Sequence, residues 1–167
     1  MRIILGFLSI LILFGCSSKK SDKELFEEAK NDLKQDKVPE AVMAFDELVN
    51  DYSDSELAPE ALSQMAGLYQ NKLIKSLSEK ENLEKAIELF KKLHEEYPSS
   101  SFAPSGLFMA GFIYANELNN FDEATKCYSK FLKDYPDHEL AASAQAELDN
   151  MGLTPEEILQ KNMANEK

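Results

Sequence analysis

The sequence predicts an all-α protein built as an α-solenoid, an array of helical hairpins ending in a capping helix. Three observations predict it. After the first 15 residues, Ala, Leu, Glu and Lys supply 71 of 152 positions, while Val, Ile and Thr together supply 9. That balance favours helix and argues against a large sheet. Residues 38–53, 83–98 and 121–136 superpose without internal gaps. A second pattern, Ala58-Pro59, Leu62, Ala66, Tyr69 and Asn71, returns 45 residues later as Ala103-Pro104, Leu107, Gly111, Tyr114 and Asn116. Helix pairs repeating every 38 to 45 residues stack into a solenoid, since each buries its apolar face only on its neighbours.

In chain order, Met1-Arg2 and an apolar run over residues 3–14 come first. The run is too short for a bilayer core, which takes about 20 residues, and it suits the hydrophobic region of a signal peptide. It ends in Leu13-Phe14-Gly15-Cys16, which resembles the lipobox of bacterial lipoproteins. Leu stands three before the Cys and a small residue directly before it, although Phe14 is bulkier than that pattern usually holds. The resemblance implies a lipoprotein signal peptide over residues 1–15, cleavage after Gly15 and lipidation of Cys16. An ordinary secretory signal with an accidental Cys is the plainer alternative. The Cys falls where the apolar run stops, which favours the lipobox. Ser17 in place of Asp resembles lipoproteins sent on to the outer membrane. Residues 16–21 then form a short tether of at most ~20 Å, which holds the folded part near the membrane surface.

The folded part spans residues 22–151. In its three second helices a small residue (Ala41, Ala86, Ala124) is followed by an aromatic four on (Phe45, Phe90, Tyr128). Leu48, Leu93 or Phe131 and then Tyr52, Tyr97 or Tyr135 follow on the same face. The first helices open after polar turns with Pro in the first turn, where a missing N–H costs least. Extra residues between Leu73 and Lys80 are expected to add about one turn to each helix of the middle pair. Leu73, Ile74 and Leu77 then sit at its tip, or zip the longer helices together. Residues 139–151 read as a capping helix stopped by Gly152. Residues 152–167 read as a short helix, with Thr154 as N-cap and Pro155 first, then a tail fraying from Asn162.

These residues resemble tetratricopeptide repeats. The small–aromatic–Ala–aromatic–Pro skeleton of that family stands here as Gly111, Tyr114, Ala124, Tyr128 and Pro136, and again as Ala66, Tyr69, Ala86, Phe90 and Pro98. The first repeat keeps Ala29, Ala41 and Phe45 but has Ser53 in the Pro position. The resemblance implies a right-handed α-solenoid of three such hairpins plus the capping helix. The spacing departs from the family, with 13 residues from Pro98 to Gly111 and 13 from Gly111 to Ala124. The longer turn is similar to that of periplasmic lipoproteins of the BamD-like group. It also resembles the repeat domain of the YbgF (CpoB)-like cell-division coordinators.

Catalysis finds no support in the sequence. His94 and His138 lack ligand partners at metal spacing and sit among carboxylates as surface residues would. Cys127 replaces Leu89 and Ala44 of the other repeats and reads as a packing residue. No phosphate loop or nucleophile motif occurs, so neither an active site nor a cofactor is expected. The net charge of −12 repels nucleic acid. What remains is a surface. Groove positions carried over from the repeat family fall on Phe26, Lys30, Leu33 and Lys34, then Ser63, Gly67, Gln70 and Asn71, then Phe108, Phe112, Ala115 and Asn116. Asn71 and Asn116 match each other, and either pair with a partner's backbone or simply end their helices. The resemblance implies a lipid-anchored, non-enzymatic adaptor at the periplasmic face of the bacterial outer membrane. It binds other envelope proteins or peptides in outer-membrane protein assembly or envelope maintenance. Two other roles stay open: a Tol-Pal or peptidoglycan-synthesis coordinator in cell division, and an accessory domain of an envelope enzyme.

Overall fold

Side-chain caps set where four of the helices begin, while three others carry Pro in the first turn. The computed structural model describes residues 19–165, and within them every regular element is helical. The expected leader, Cys16 and the last two residues lie outside the described residues. The first helix, α1 (Asp22–Lys34), starts on a capping box. Ser21 Oγ accepts from the Glu24 N–H at 3.3 Å, and the Glu24 carboxylate accepts from the Ser21 N–H at 2.8 Å. Helices α2 (Val38–Asp51), α3 (Ala58–Gln70) and α5 (Ala103–Phe112) carry Pro in the first turn. A second capping box, Ser78 with Glu81, opens α4 (Glu79–Glu96). Asn120 caps α6 (Phe121–Asp134), then come α7 (Ala141–Asn150) and α8 (Pro155–Asn165), the last capped by Thr154. No helix among the described residues is long and apolar enough to cross a membrane.

One turn is used three times. The N–H groups of Ser55, Ser100 and His138 donate to the carbonyls of Tyr52, Tyr97 and Tyr135. Their side chains then accept from the N–H of Leu57, Phe102 and Leu140 at 3.1, 3.2 and 3.2 Å. Their carbonyls receive the N–H of Ala58, Ala103 and Ala141, the first residues of α3, α5 and α7. The expected capping helix is therefore shorter than residues 139–151, and it opens as the first helix of a fourth pair.

The same three tyrosines stitch each pair to what precedes it. The Tyr97 hydroxyl donates to the Ser53 carbonyl at 2.9 Å, and the Tyr135 hydroxyl meets His94 Nδ1 at 2.8 Å. Tyr52 makes the equivalent contact at 2.6 Å, to the Lys20 carbonyl. Between the stitches lie two contiguous apolar cores, one spanning α1–α4 and one spanning α3–α7. Ala29, Ala41, Ala66, Ala86 and Ala124 are wholly buried, so the helices meet at their small residues. A Cβ added to Gly111 would stand 3.0 Å from Tyr128 Cε1, so any larger residue there would push the tyrosine ring back by a few tenths of an ångström.

The middle pair departs from its expected shape. The α3 helix has 13 residues, as α1 does, and the extra residues lie in loop 71–78 and at the start of α4, which has 18. Asn82 explains the difference. It is buried, and its Nδ2 donates to the carbonyls of Ile74, Leu77 and Ser78 at 3.0, 3.3 and 3.0 Å, closing the loop onto α4. Ile74 is buried with it, Leu77 is half-buried, and only Leu73 stands at an exposed tip. The extra residue between Gly111 and Ala124 takes the form of a π-helical turn, Ile113–Glu117. There the Leu118 N–H reaches the Ile113 carbonyl, five residues back instead of four. Helix α8 runs on to Asn165, past the point at which fraying was expected.

Candidate protein-binding surface

The expected groove residues divide into an open set and a packed set. On α1, Lys30 and Lys34 are exposed and Leu33 is half-buried. Phe26 is only 5% exposed and meets Phe45 edge-on at 5.6 Å, so it belongs to the core and not to a groove. Phe26 lies beside Leu25 and one turn from Ala29, both buried, so it falls on the inward face of α1, which the family positions alone do not reveal. On α3, Ser63, Gly67 and Gln70 are half-buried and Asn71 is exposed. A Cβ on Gly67 would meet nothing within 4 Å, so this backbone lies open to close approach.

On α5 the two phenylalanines separate. Phe108 packs edge-on against Tyr128 at 5.4 Å and Phe131 at 5.9 Å, which makes it the outer layer of the core. Phe112 is half-buried and has no aromatic partner among the described residues. Ala115 is buried by the π turn, contrary to its expected place in the groove, while Asn116 stays exposed. Both asparagines turn their amides onto their own helices. Asn71 Nδ2 donates to the Gly67 carbonyl at 2.7 Å, and Asn116 Nδ2 to the Phe112 carbonyl at 3.2 Å. Helix ending thus accounts for these amide donors. Lys72 Nζ bridges the two pairs, 3.1 Å from Glu117 of the π turn.

His94 is not the surface residue that its acidic neighbours suggested. It is buried between α4 and α6, with Nε2 3.3 Å from Asp134 Oδ2 and Nδ1 2.8 Å from the Tyr135 hydroxyl. Lys130, 2.9 Å from Asp134, keeps that carboxyl below its ordinary range, so it is an ionised acceptor. The proton of neutral His94 then sits on Nε2, and Tyr135 donates to Nδ1. Burial first, and Lys130 second, hold the His94 pKa below its ordinary value. Cys127 is buried, as its place in the repeat suggested, and burial pushes its thiol up to about 11. A thiol this reluctant to ionise is a packing group at neutral pH. Among the described residues no cluster of three or more His, Cys, Asp or Glu could hold a metal ion.

Partly open polar and small residues thus recur on successive first helices, with Leu33 on α1 and Phe112 on α5 as half-buried apolar members. No curated protein matches the chain. Residues 18–153 match the family YfiO, described as an outer membrane lipoprotein, and that span takes in the three hairpins and α7. The chain belongs to this family of BamD-like, tetratricopeptide-type outer membrane lipoproteins.

Proposed function

We propose that this protein is a lipid-anchored adaptor, held by Cys16 at the periplasmic face of the outer membrane. It works without catalysis, binding segments of other envelope proteins along α1, α3 and α5 during outer-membrane protein assembly. Family membership over residues 18–153 supports the envelope setting. The observation that carries the binding surface is the open backbone at Gly67, flanked by Ser63, Gln70 and Asn71 and continued by Phe112 and Asn116. A partner strand or helix can approach there without displacing a side chain, and Phe112 supplies one apolar anchor of the kind in which binding energy concentrates. The acidic surface selects partners with basic flanks.

Two substitutions test the surface. Gly67→Leu fills open space and replaces a poor helix former, so the melting temperature is expected to hold or rise. Phe112→Ala removes the anchor at a modest cost in stability. Both are expected to lose envelope proteins that co-purify with the wild type after in-cell crosslinking. Phe108→Ala, which strips a ring from Tyr128 and Phe131, is expected to lower stability by about 2–4 kcal/mol instead. Full recovery of partners by Gly67→Leu and Phe112→Ala with native melts would remove this surface from consideration.

A further inference from the structure

The segment before α1 does not leave the fold freely. Lys19 Nζ stands 3.1 Å from Asp51 Oδ2 and 5.1 Å from the centre of the Tyr52 ring. The Tyr52 hydroxyl donates to the Lys20 carbonyl at 2.6 Å, and Lys20 Nζ reaches Glu28 at 2.5 Å. Ser55 Oγ donates to Asp22 Oδ2 at 2.5 Å. The exposed ion pairs each add little. The tyrosine contact is different in kind, because Tyr97 and Tyr135 use the same position to grip the preceding pair. Residues 19–22 therefore occupy the place of a preceding repeat and close the N-terminal end of the array.

We infer that this clamp fixes the orientation of the protein on the bilayer, with the pole formed by the start of α1 and the turn after α2 pressed to the lipid headgroups. The inference rests on the reading of Cys16 as the lipidated residue. Three Cα steps separate residue 16 from residue 19, so the anchor lies at most about 11 Å from Lys19. Without the clamp the first fixed point would be the start of α1, and the reach would be ~20 Å in any direction. With it, Asp51, Tyr52 and Asp54 are held beside the headgroup layer. Gln35, at the far end of the 13-residue α1, stands about 20 Å from that pole along the helix axis. The partner of this pole is a lipid surface, and the groove residues along α3 and α5 are left to face proteins.

The test uses the full-length lipidated protein in nanodiscs of phosphatidylethanolamine and phosphatidylglycerol that carry a headgroup quencher. Fluorophores are placed one at a time at Asp54→Cys and Gln35→Cys, since the one free thiol among the described residues, Cys127, is buried. The expected result is several-fold stronger quenching at 54 than at 35. Lys19→Ala combined with Tyr52→Phe is expected to reduce that ratio toward one, with α-helical content and melting retained. Equal quenching at the two sites, or a ratio that survives the double substitution, overturns the clamp. The mass of the amino-terminal peptide from the same sample separates the two layers. A lipidated Cys16 with equal quenching removes only the clamp, and an unmodified Cys16 removes both readings.

Discussion

The pairs α5–α6 and α7–α8 open with the same turn, through Ser100 and His138, and place Ala103 and Ala141 at the same step. Beyond that step they diverge. In the first pair Gly111 lies against Tyr128, Ala124 is wholly buried, and Tyr128 and Phe131 fill the space between the helices. In the second pair the residue at the place of Gly111 is Asp149, and the fourth residue of α8 is Ile158 where α6 has Ala124. Helix α8 accordingly packs only loosely, with Ile158 half-buried and Leu159 exposed. A cleft of about 470 Å³ opens beside it, lined by Phe121, Asn150, Leu153 and Ile158 among others, and Leu159 and Met163 are 61% and 60% exposed. Turn chemistry starts a pair, but small residues on both helices and large ones behind them are needed to close it.

The contrast is broken most strongly by giving α6 the residue that α8 has. Ala124→Ile forces a branched side chain into a site with no exposed surface, where overpacking costs typically about 1–3 kcal/mol. The third pair is expected to loosen, with a lower urea midpoint and earlier hydrogen exchange in α5 and α6 than in α1 and α2. Unchanged exchange in α6 would show that the small residue is not what closes the pair.

Much of this contrast was legible in the sequence, because a repeat compares each position with itself. The small residues, the aromatics and the tyrosines all fell where the spacing put them, and the break at α8 can be read from Asp149 and Ile158. Other features rest on contacts that the spacing alone does not reveal, some of them local and one between residues 41 apart. Nothing local marks Asn82 as the residue that holds loop 71–78, although Ser78-x-x-Glu81 was a readable capping box that places the start of α4. The surplus residue after Gly111 was visible as a spacing, but a π turn and a longer loop absorb it equally well on paper. Burial of His94 depends on Tyr135, 41 residues away, and its acidic neighbours in sequence pointed the other way. Of the residues that the family positions picked for a groove, Ser63, Gly67 and Gln70 are half-buried on α3. Phe26, Phe108 and Ala115 are instead packed inward, Phe26 on Phe45, Phe108 on Tyr128 and Phe131, and Ala115 by the π turn.

The stitches offer a subtler contrast, since Tyr97 ends on a backbone carbonyl and Tyr135 on a histidine. The folded protein holds the His94 pKa below its ordinary 6.5, so the unfolded chain takes up the proton first. Stability from this site is complete above pH 6.5 and is lost as the pH falls from there toward the folded value. Between about pH 7.5 and about pH 5.5 the urea midpoint is expected to fall, before most carboxylates titrate. His94→Gln is expected to flatten that fall while lowering stability at neutral pH. A slope that persists in the variant would assign the pH dependence elsewhere.

The smallest effect is expected where the fourth pair is left unclosed. Helix α8 is held by Lys161, whose Nζ donates to the Asp149 carbonyl at 2.6 Å and reaches Asn150 Oδ1 at 3.2 Å, and by the half-buried Ile158. Its other apolar side chains, Leu159 and Met163, are largely in water. Ending the chain after Thr154 therefore removes little buried area and leaves the last core intact, since Ala144 and Leu148 of α7 stay in place against it. The expected change is within about 0.5 kcal/mol, typical of surface substitutions. Ending it after Leu140 removes α7 as well and is expected to cost several times more, because the second core then loses a face. If the shorter cut proves as damaging as the longer one, α8 closes onto the array in solution, and the small-residue rule drawn from Gly111 and Ala124 fails at the pair that most clearly departs from it.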